Sequence, residues 1–155
     1  MVKIEKMTTE HIGEVIELAV ADEQVTYVGT IFDILKYANA QVRPYVIIRE
    51  GQVVGFFLID TVYSKDYDFA PSSSLGLRCF FIDQHHQRKG YARHTLKALP
   101  AYLASIYPNH ADIYLTVNCR NLQARDCYLK AGFEDIEALY QDGPAGPQHI
   151  MRLAL

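Results

Sequence analysis

The sequence predicts an α/β fold of the α+β kind, in which helices flank one mixed sheet. Three observations support this class. Apolar residues alternate with period two in several short runs, they recur at helical spacing in other segments, and the two kinds of segment follow one another along the chain. The expected order is a strand, two helices, a hairpin, a strand, a helix, a strand, a helix and a final pair of strands.

In the first half of the chain, residues 2–6 alternate as a strand, and a threonine at position 8 or 9 can cap the first helix. Apolar residues at positions 28, 31, 32 and 35 predict the second helix. The run from Tyr45 to Asp60 predicts a hairpin that turns at Gly51. Residues 61–74 form a polar loop, long enough to be functional, before a strand from Leu75 to Ile82.

In the second half, one apolar face over residues 92–106 predicts a helix that Pro100 should kink. Residues 112–118 alternate as a strand, and the segment from Asn121 predicts a helix that ends at Gly132. Two strands around the sequence DGPAG complete the chain.

The composition limits the class of protein. With 155 residues, 50% of them hydrophobic and 21% charged, the chain can bury a core as one domain spanning residues 1–155. The net charge of −3 and the lack of a basic run argue against nucleic-acid and membrane partners. The sequence shows neither a membrane span nor a signal peptide, so we expect a cytoplasmic protein. The three cysteines are odd in number and widely spaced, which predicts reduced, mostly buried thiols.

The segment Gln87-Arg88-Lys89-Gly90 stands where a strand passes into a helix. A helix N-terminus presents unpaired N–H groups and partial positive charge, so it can bind an anion. Gly90 has no Cβ to block the approach of a phosphate, and Arg88 and Lys89 add positive charge. The alternative is an ordinary glycine turn with solvated cations.

Two motifs together carry a family resemblance. Gln87-x-x-Gly90-x-Ala92 follows a strand, and about thirty residues later the chain reads N-x-x-A-x-x-x-Y-x-x-x-G-F from Asn121 to Phe133. This sequence resembles the GNAT acetyltransferase superfamily. The resemblance implies a mostly antiparallel sheet of six or seven strands with about four helices and a splay between the two central strands. It also implies N-acetyltransferase activity with acetyl-CoA as co-substrate.

The resemblance also assigns cofactor contacts. Backbone N–H groups from Arg88 through Arg93 would hold the pyrophosphate, and the strand ending at Ile82 would pair with the pantetheine arm. The implied cofactor-binding residues are Phe80, Phe81, Ile82, Gln87, Arg88, Lys89, Gly90, Tyr91, Ala92, Arg93 and Asn121. Asn121 is equally suited to capping the following helix, and both roles can hold.

Tyr128 matches the tyrosine that protonates the departing coenzyme A sulfur in many members of the family. A phenol with a pKa near 10 is neutral at pH 7 and can donate a proton. The alternative is a core aromatic on an amphipathic helix. For the neighbouring Cys127 we expect packing, because the family transfers the acyl group directly and no base lies near it in sequence.

Many relatives place a glutamate base on the strand that ends at Ile82, but SLGLRCFFID contains none. Asp60 and Glu23 are candidates, and the base stays unassigned. We expect no metal site: His85, His86 and His94 have no placed carboxylate partner, and consecutive histidines point to opposite sides of an extended chain.

The acceptor is the least determined feature. The string IDQHHQRKGYA is similar to the same stretch of diamine and polyamine N-acetyltransferases. Five acidic residues could attract a polycation or be ordinary solvated charges: Asp22, Glu23, Asp60, Asp66 and Asp68. Amino-acid, aminoglycoside and protein N-terminal acceptors remain alternatives, as does a non-catalytic acyl-CoA sensor. The expectation of a homodimer comes from the resemblance alone.

Overall fold

Seven strands form one sheet in the spatial order β1-β2-β3-β4-β5-β7-β6, in a computed structural model that describes residues 1–155. The strands are β1 (Lys3–Lys6), β2 (Val42–Arg49), β3 (Gln52–Asp60), β4 (Ser74–Ile82), β5 (Asp112–Asn118), β6 (Glu134–Tyr140) and β7 (Gln148–Ala154). Every neighbouring pair is antiparallel except β4 and β5, which run parallel. The predicted mixed, mostly antiparallel sheet is confirmed.

Five α-helices flank the sheet. They are α1 (Ile12–Val15), α2 (Asp22–Val28), α3 (Ile31–Leu35), α4 (Tyr91–Ile106) and α5 (Leu122–Lys130). The single helix expected through positions 28–35 is divided between α2 and α3. Gly29 ends α2 in a left-handed conformation, with φ 86°, and the Thr30 side chain caps α3 by accepting from the backbone N–H of Asp33. None of these helices combines the length and the apolar character that a membrane crossing requires.

The sheet separates two apolar layers. On one face, α4 buries Leu96, Leu99 and Leu103 completely, and it continues through Pro100. On the other face, the short helices bury residues such as Val15 and Ile34 against β3. Because central strands such as β3 are buried on both sides, their alternation is weaker than in a half-exposed sheet.

The two central strands diverge. β4 and β5 pair only where Ser74–Gly76 lie beside Asp112–Tyr114, although both strands continue further. Beyond the paired residues, backbone groups of β4 face a gap instead of a neighbouring strand. The predicted splay is therefore confirmed.

A β-bulge lies in the same part of β4. Cys79 and Phe80 together lie opposite the single residue Phe57 of β3, and Cys79 has a left-handed φ of 56°. A bulge bends its strand and changes the direction of the side chains beyond it. Bulge and splay together give the gap its shape.

Candidate active site

A cleft of about 360 Å³ lies between the end of β4, the N-terminal part of α4 and one side of α5. We name it the turn cleft. Of the residues predicted to bind the cofactor, Phe80, Phe81, Ile82, Gln87, Arg88, Gly90, Tyr91, Ala92 and Arg93 line it. Lys89 is exposed and does not line the cleft. The end of β4 and the turn, which are close together in the chain, thus line one cavity with residues of α5.

The start of α4 has the features of an anion site. Gly90 precedes the helix in a left-handed conformation with φ 82°, and no side chain caps the first turn. A Cβ built on Gly90 would meet no atom within 4 Å, so the space in front of the helix is open. Arg88 is also left-handed, with φ 65°. The first turn of α4 has unpaired N–H groups and open space in front of it, and Arg88 and Arg93 lie nearby. These features fit the binding of a pyrophosphate at this position.

The Asp83 side chain stabilises the turn that precedes α4. Its buried carboxylate accepts from the backbone N–H of Ala19 at 2.7 Å, from that of His85 at 3.2 Å and from His86 Nδ1 at 2.9 Å. Because three donors use this carboxylate, Asp83 holds the turn in place and is not free to serve as a base. His85 and His94 are exposed.

A second cleft, of about 320 Å³, lies on the other side of the gap between β4 and β5. We name it the tyrosine cleft, because Tyr27, Tyr37, Tyr63, Tyr67 and Tyr128 line it. The two clefts share Gln24, Phe80, Ala124 and Tyr128 as a common wall. No aspartate or glutamate lines the tyrosine cleft, and its one charged residue is Arg78.

Arg78 forms an ion-pair cluster at the edge of the tyrosine cleft. Its guanidinium lies 3.0 Å from buried Asp60 and 2.9 Å from exposed Asp66. It also lies over the rings of Tyr63 and Tyr67, 5.0 and 5.1 Å from their centroids. The guanidinium is therefore held by carboxylates and aromatic rings at once.

The ion pairs of this cluster affect which residue could act as the general base. The Asp60 side chain is 2% exposed and is occupied by Arg78 and by the backbone N–H of Val62, so Asp60 does not fit that role. Glu23, the other candidate, is exposed and lines neither cleft. Asp22 and Asp68 are also exposed and line neither cleft. The base remains unassigned.

Tyr128 lies in the wall between the clefts. Its ring makes edge contacts with Phe80, at 6.3 Å between centroids, and with Phe133, at 5.6 Å. Burial raises the pKa of the Tyr128 phenol, and the neighbouring Cys127 and Cys79 raise it further. The phenol therefore stays protonated at neutral pH and can donate a proton. The core packing expected as an alternative is also present, since Phe133 is a core residue.

Cysteine chemistry is disfavoured in both clefts, where Cys127 lines the turn cleft and Cys79 lines the tyrosine cleft. Burial raises the pKa of the Cys127 thiol, and it raises that of Cys79 to about 11. The thiolate is the nucleophilic form of cysteine, so both residues are poor nucleophiles at neutral pH.

Comparison with known proteins settles the family. The model of the Acetyltransferase (GNAT) family matches residues 7–133. The chain belongs to the GNAT acetyltransferase family. It is 30% identical over 148 residues to the uncharacterized N-acetyltransferase YbbJ of Bacillus subtilis strain 168, covering 92% of this chain and 90% of that protein.

Two further relatives are informative. A protein of Bacillus subtilis subsp. natto strain BEST195, named probable spermine N(1)-acetyltransferase, is 30% identical over 135 residues, covering 86% of this chain and 88% of its own. The crystal structure of aminoglycoside acetyltransferase AAC(6')-Ib in complex with coenzyme A superposes with a TM-score of 0.80 at 21% identity, covering 99% of this chain and 95% of that one. This structural match shows that the GNAT fold extends over the chain.

Sequence reasoning missed two residues of this GNAT acetyltransferase. Arg78 lies on β4 and lines the tyrosine cleft, but one arginine in a strand carries no motif. Gln24 lines both clefts and bonds to Asn121, a contact between residues 97 positions apart that no local pattern marks. Asn121 itself caps α5 and lines the tyrosine cleft, not the turn cleft where a cofactor contact was expected.

Proposed function

We propose that residues 1–155 act as one GNAT domain that transfers an acetyl group from acetyl-CoA directly to a primary amine of a small molecule. The observation that carries this proposal is the meeting of two clefts at Tyr128. One cleft has an anion site at the start of α4, and the other has aromatic and amide walls with Arg78 as its one charged residue. Two ligands that enter from opposite sides would meet at the same phenol.

The turn cleft would hold acetyl-CoA. Backbone N–H groups from Arg88 through Arg93 would bind the pyrophosphate, and the unpaired backbone of β4 at Phe80–Ile82 would pair with the pantetheine amides. A structural neighbour that contains coenzyme A supports this use of the fold. Asn121 lines the tyrosine cleft and not the turn cleft, so we do not assign it a contact with acetyl-CoA.

The transfer itself needs few protein groups. The neutral amine nitrogen attacks the thioester carbonyl carbon, the carbon–sulfur bond breaks, and Tyr128 donates its proton to the departing sulfur. The amine loses its proton to water, because no carboxylate lines the tyrosine cleft. The Tyr128 phenolate then regains a proton from water, so the enzyme returns to its starting state.

For the acceptor we propose a diamine or polyamine. The probable spermine N(1)-acetyltransferase of the natto strain supports this class. One arginine faces two aspartates in the cluster of Arg78, Asp60 and Asp66, so the cluster keeps one net negative charge beside the tyrosine cleft. The Asp66 side chain is 67% exposed and can meet a second cation of the acceptor. The tyrosine rings also favour cations.

A panel of amines with acetyl-CoA, followed by thiol release, tests this proposal. We expect spermidine, spermine and short diamines to be acetylated faster than amino acids, an aminoglycoside or a peptide N-terminus. Asp66→Asn should raise KM for spermidine roughly two- to fivefold, since exposed ion pairs are worth up to about 1 kcal/mol, and should leave KM for propylamine unchanged. If an amino acid or a peptide reacts faster than every polyamine, the polyamine assignment is wrong and the acetyltransferase remains.

A further inference from the structure

The side-chain amides of Gln24 and Asn121 form a closed pair. Gln24 Nε2 donates to Asn121 Oδ1 at 3.1 Å, and Asn121 Nδ2 donates to Gln24 Oε1 at 2.9 Å. The backbone N–H of Ala124 also donates to Asn121 Oδ1, at 3.4 Å. Because this position must accept a hydrogen bond, it identifies the oxygen of the Asn121 amide. The pair therefore has one orientation and requires an amide at both positions.

The pair attaches α2 to the far side of the splay. On the β4 side, the chain that enters α2 is attached through Ala19, whose N–H donates to Asp83 and whose carbonyl accepts from the N–H of Gln84 at 2.8 Å. On the β5 side, the attachment is the bond from Gln24 to Asn121, which precedes α5. Since β4 and β5 do not pair in this region, α2 bridges the gap between them.

Gln24 lies in the wall between the two clefts, where the proposed acetyl transfer would occur. It is one of the four residues that line both clefts, together with Phe80, Ala124 and Tyr128. Thr26, Tyr27 and Val28 follow it on α2 and line the tyrosine cleft. A movement of α2 would therefore change the wall against which an acceptor lies.

We propose that Gln24 is a positioning residue, which holds α2 across the splay so that the acceptor amine meets Tyr128 in one orientation. This inference rests on the proposed function. The anion site at Gly90 has its own attachment through Asp83, so loss of the amide pair should disturb the acceptor much more than the cofactor. Misplacing a reactant by about 1 Å can reduce a rate on the order of a hundredfold.

The variants are chosen to remove the pair without removing the cap of α5. Gln24→Ala removes one amide, and Asn121→Ser removes the other while keeping a good N-cap residue. Each should lower kcat/KM for spermidine roughly tenfold and leave the Kd of acetyl-CoA, measured by calorimetry, within about twofold. The double variant should be no slower than the slower single variant, because both lose the same interaction. Gln141→Ala, the same change on an exposed loop residue outside both clefts, is the control.

A second measurement does not depend on turnover. Backbone amides of α2 should exchange hydrogen faster in Gln24→Ala than in the parent, and equally fast in Gln141→Ala. If Gln24→Ala folds poorly, Gln24→Glu replaces it in the experiment. Gln24→Glu keeps the side-chain length but cannot donate to Asn121 Oδ1, so it should show the same loss of rate.

The results separate the two proposals. If the parent releases no thiol with any amine, the proposed function fails, and unchanged α2 exchange in Gln24→Ala would then overturn the positioning role as well. If the parent is active, a kcat/KM for Gln24→Ala within twofold of the parent overturns the inference alone. A Kd for acetyl-CoA that weakens as much as kcat/KM falls would overturn it too, because Gln24 would then be a cofactor contact.

Discussion

The ring of Phe80 meets the ring of Tyr128 edge to face, with 6.3 Å between their centroids, in the wall shared by the two clefts. Phe80 reaches this place because the bulge at Cys79 interrupts the regular alternation of β4. Tyr128 comes from α5 on the opposite side of the splay. The contact between Phe80 and the proposed acid therefore involves a strand whose backbone is irregular at the preceding residue.

Gly90→Glu should abolish the binding of acetyl-CoA. The substitution places a carboxylate in the open space before α4, where the pyrophosphate is expected. A ligand at a hundred times its Kd stabilises the folded state by about 2.7 kcal/mol, so Tm of the parent should rise by roughly 5–10 °C. The variant should show no rise in a thermal shift assay.

Gly51→Glu is the matched control for this experiment. Gly51 has φ 79° against 82° for Gly90, and a Cβ at either position meets no atom within 4 Å. Both variants therefore bear the same backbone strain, about 1–2 kcal/mol, and differ in their distance from the cleft. A Gly90→Glu variant that folds and binds acetyl-CoA as tightly as Gly51→Glu would remove the turn from the cofactor site.

The rate should rise with pH without an early decline. The free fraction of an acceptor amine with a pKa near 10.4 increases about tenfold per unit between pH 7 and 9. The acid form of Tyr128 is the useful one, and burial raises its pKa above the usual value near 10, so proton donation is retained over this range. An initial-rate profile of kcat/KM for spermidine should therefore show one rising limb. A decline beginning below pH 9 would contradict this assignment of the acid.

Asp60→Asn should destabilise the protein far more than Asp66→Asn. Asp60 is buried, and its loss leaves the half-buried Arg78 without its inner carboxylate, which costs about 3 kcal/mol in comparable buried pairs. Asp66 is exposed, and such pairs are worth up to about 1 kcal/mol. Urea denaturation of the two variants measures the difference. Equal losses would show that the buried carboxylate is not the structural partner of Arg78.

The sequence was most informative where local chemistry determines structure. The hairpin at Gly51 and the turn at Gly90, where we propose that pyrophosphate binds, both depend on a glycine with positive φ, and short sequence motifs mark such positions. The strand from Asp112 to Asn118 was predicted with its observed limits, because a buried strand carries its own apolar pattern.

The parts of the site that depend on distant contacts could not be predicted. The acidic residues at positions 60 and 66 were candidates for binding a cation, but the structure pairs both with Arg78. Gln24 and Asn121 lie 97 positions apart and become neighbours only because α2 crosses the splay. The prediction of one continuous helix through positions 28–35 is wrong, because Gly29 ends α2 and the Thr30 cap begins α3.

Direct acetyl transfer at Tyr128 is tested by comparing the parent protein with Tyr128→Phe. The substitution keeps the ring and its contacts and removes only the proton donor. General acid catalysis contributes roughly 10²–10⁴-fold, so kcat should fall at least tenfold while the Kd of acetyl-CoA stays constant. Tyr102→Phe, the same change on a half-buried residue of α4 that lines neither cleft, should keep the parent's kcat.

The measurement is thiol release from acetyl-CoA, with and without spermidine, together with the Kd of acetyl-CoA from calorimetry. We predict release by the parent only when the amine is present, and release at least ten times slower by Tyr128→Phe with the same Kd. A parent that binds acetyl-CoA but releases no thiol with any amine would be a sensor and not an enzyme. An equal kcat in the parent and in Tyr128→Phe, with chemistry shown to be rate-limiting, would contradict the role given to Tyr128.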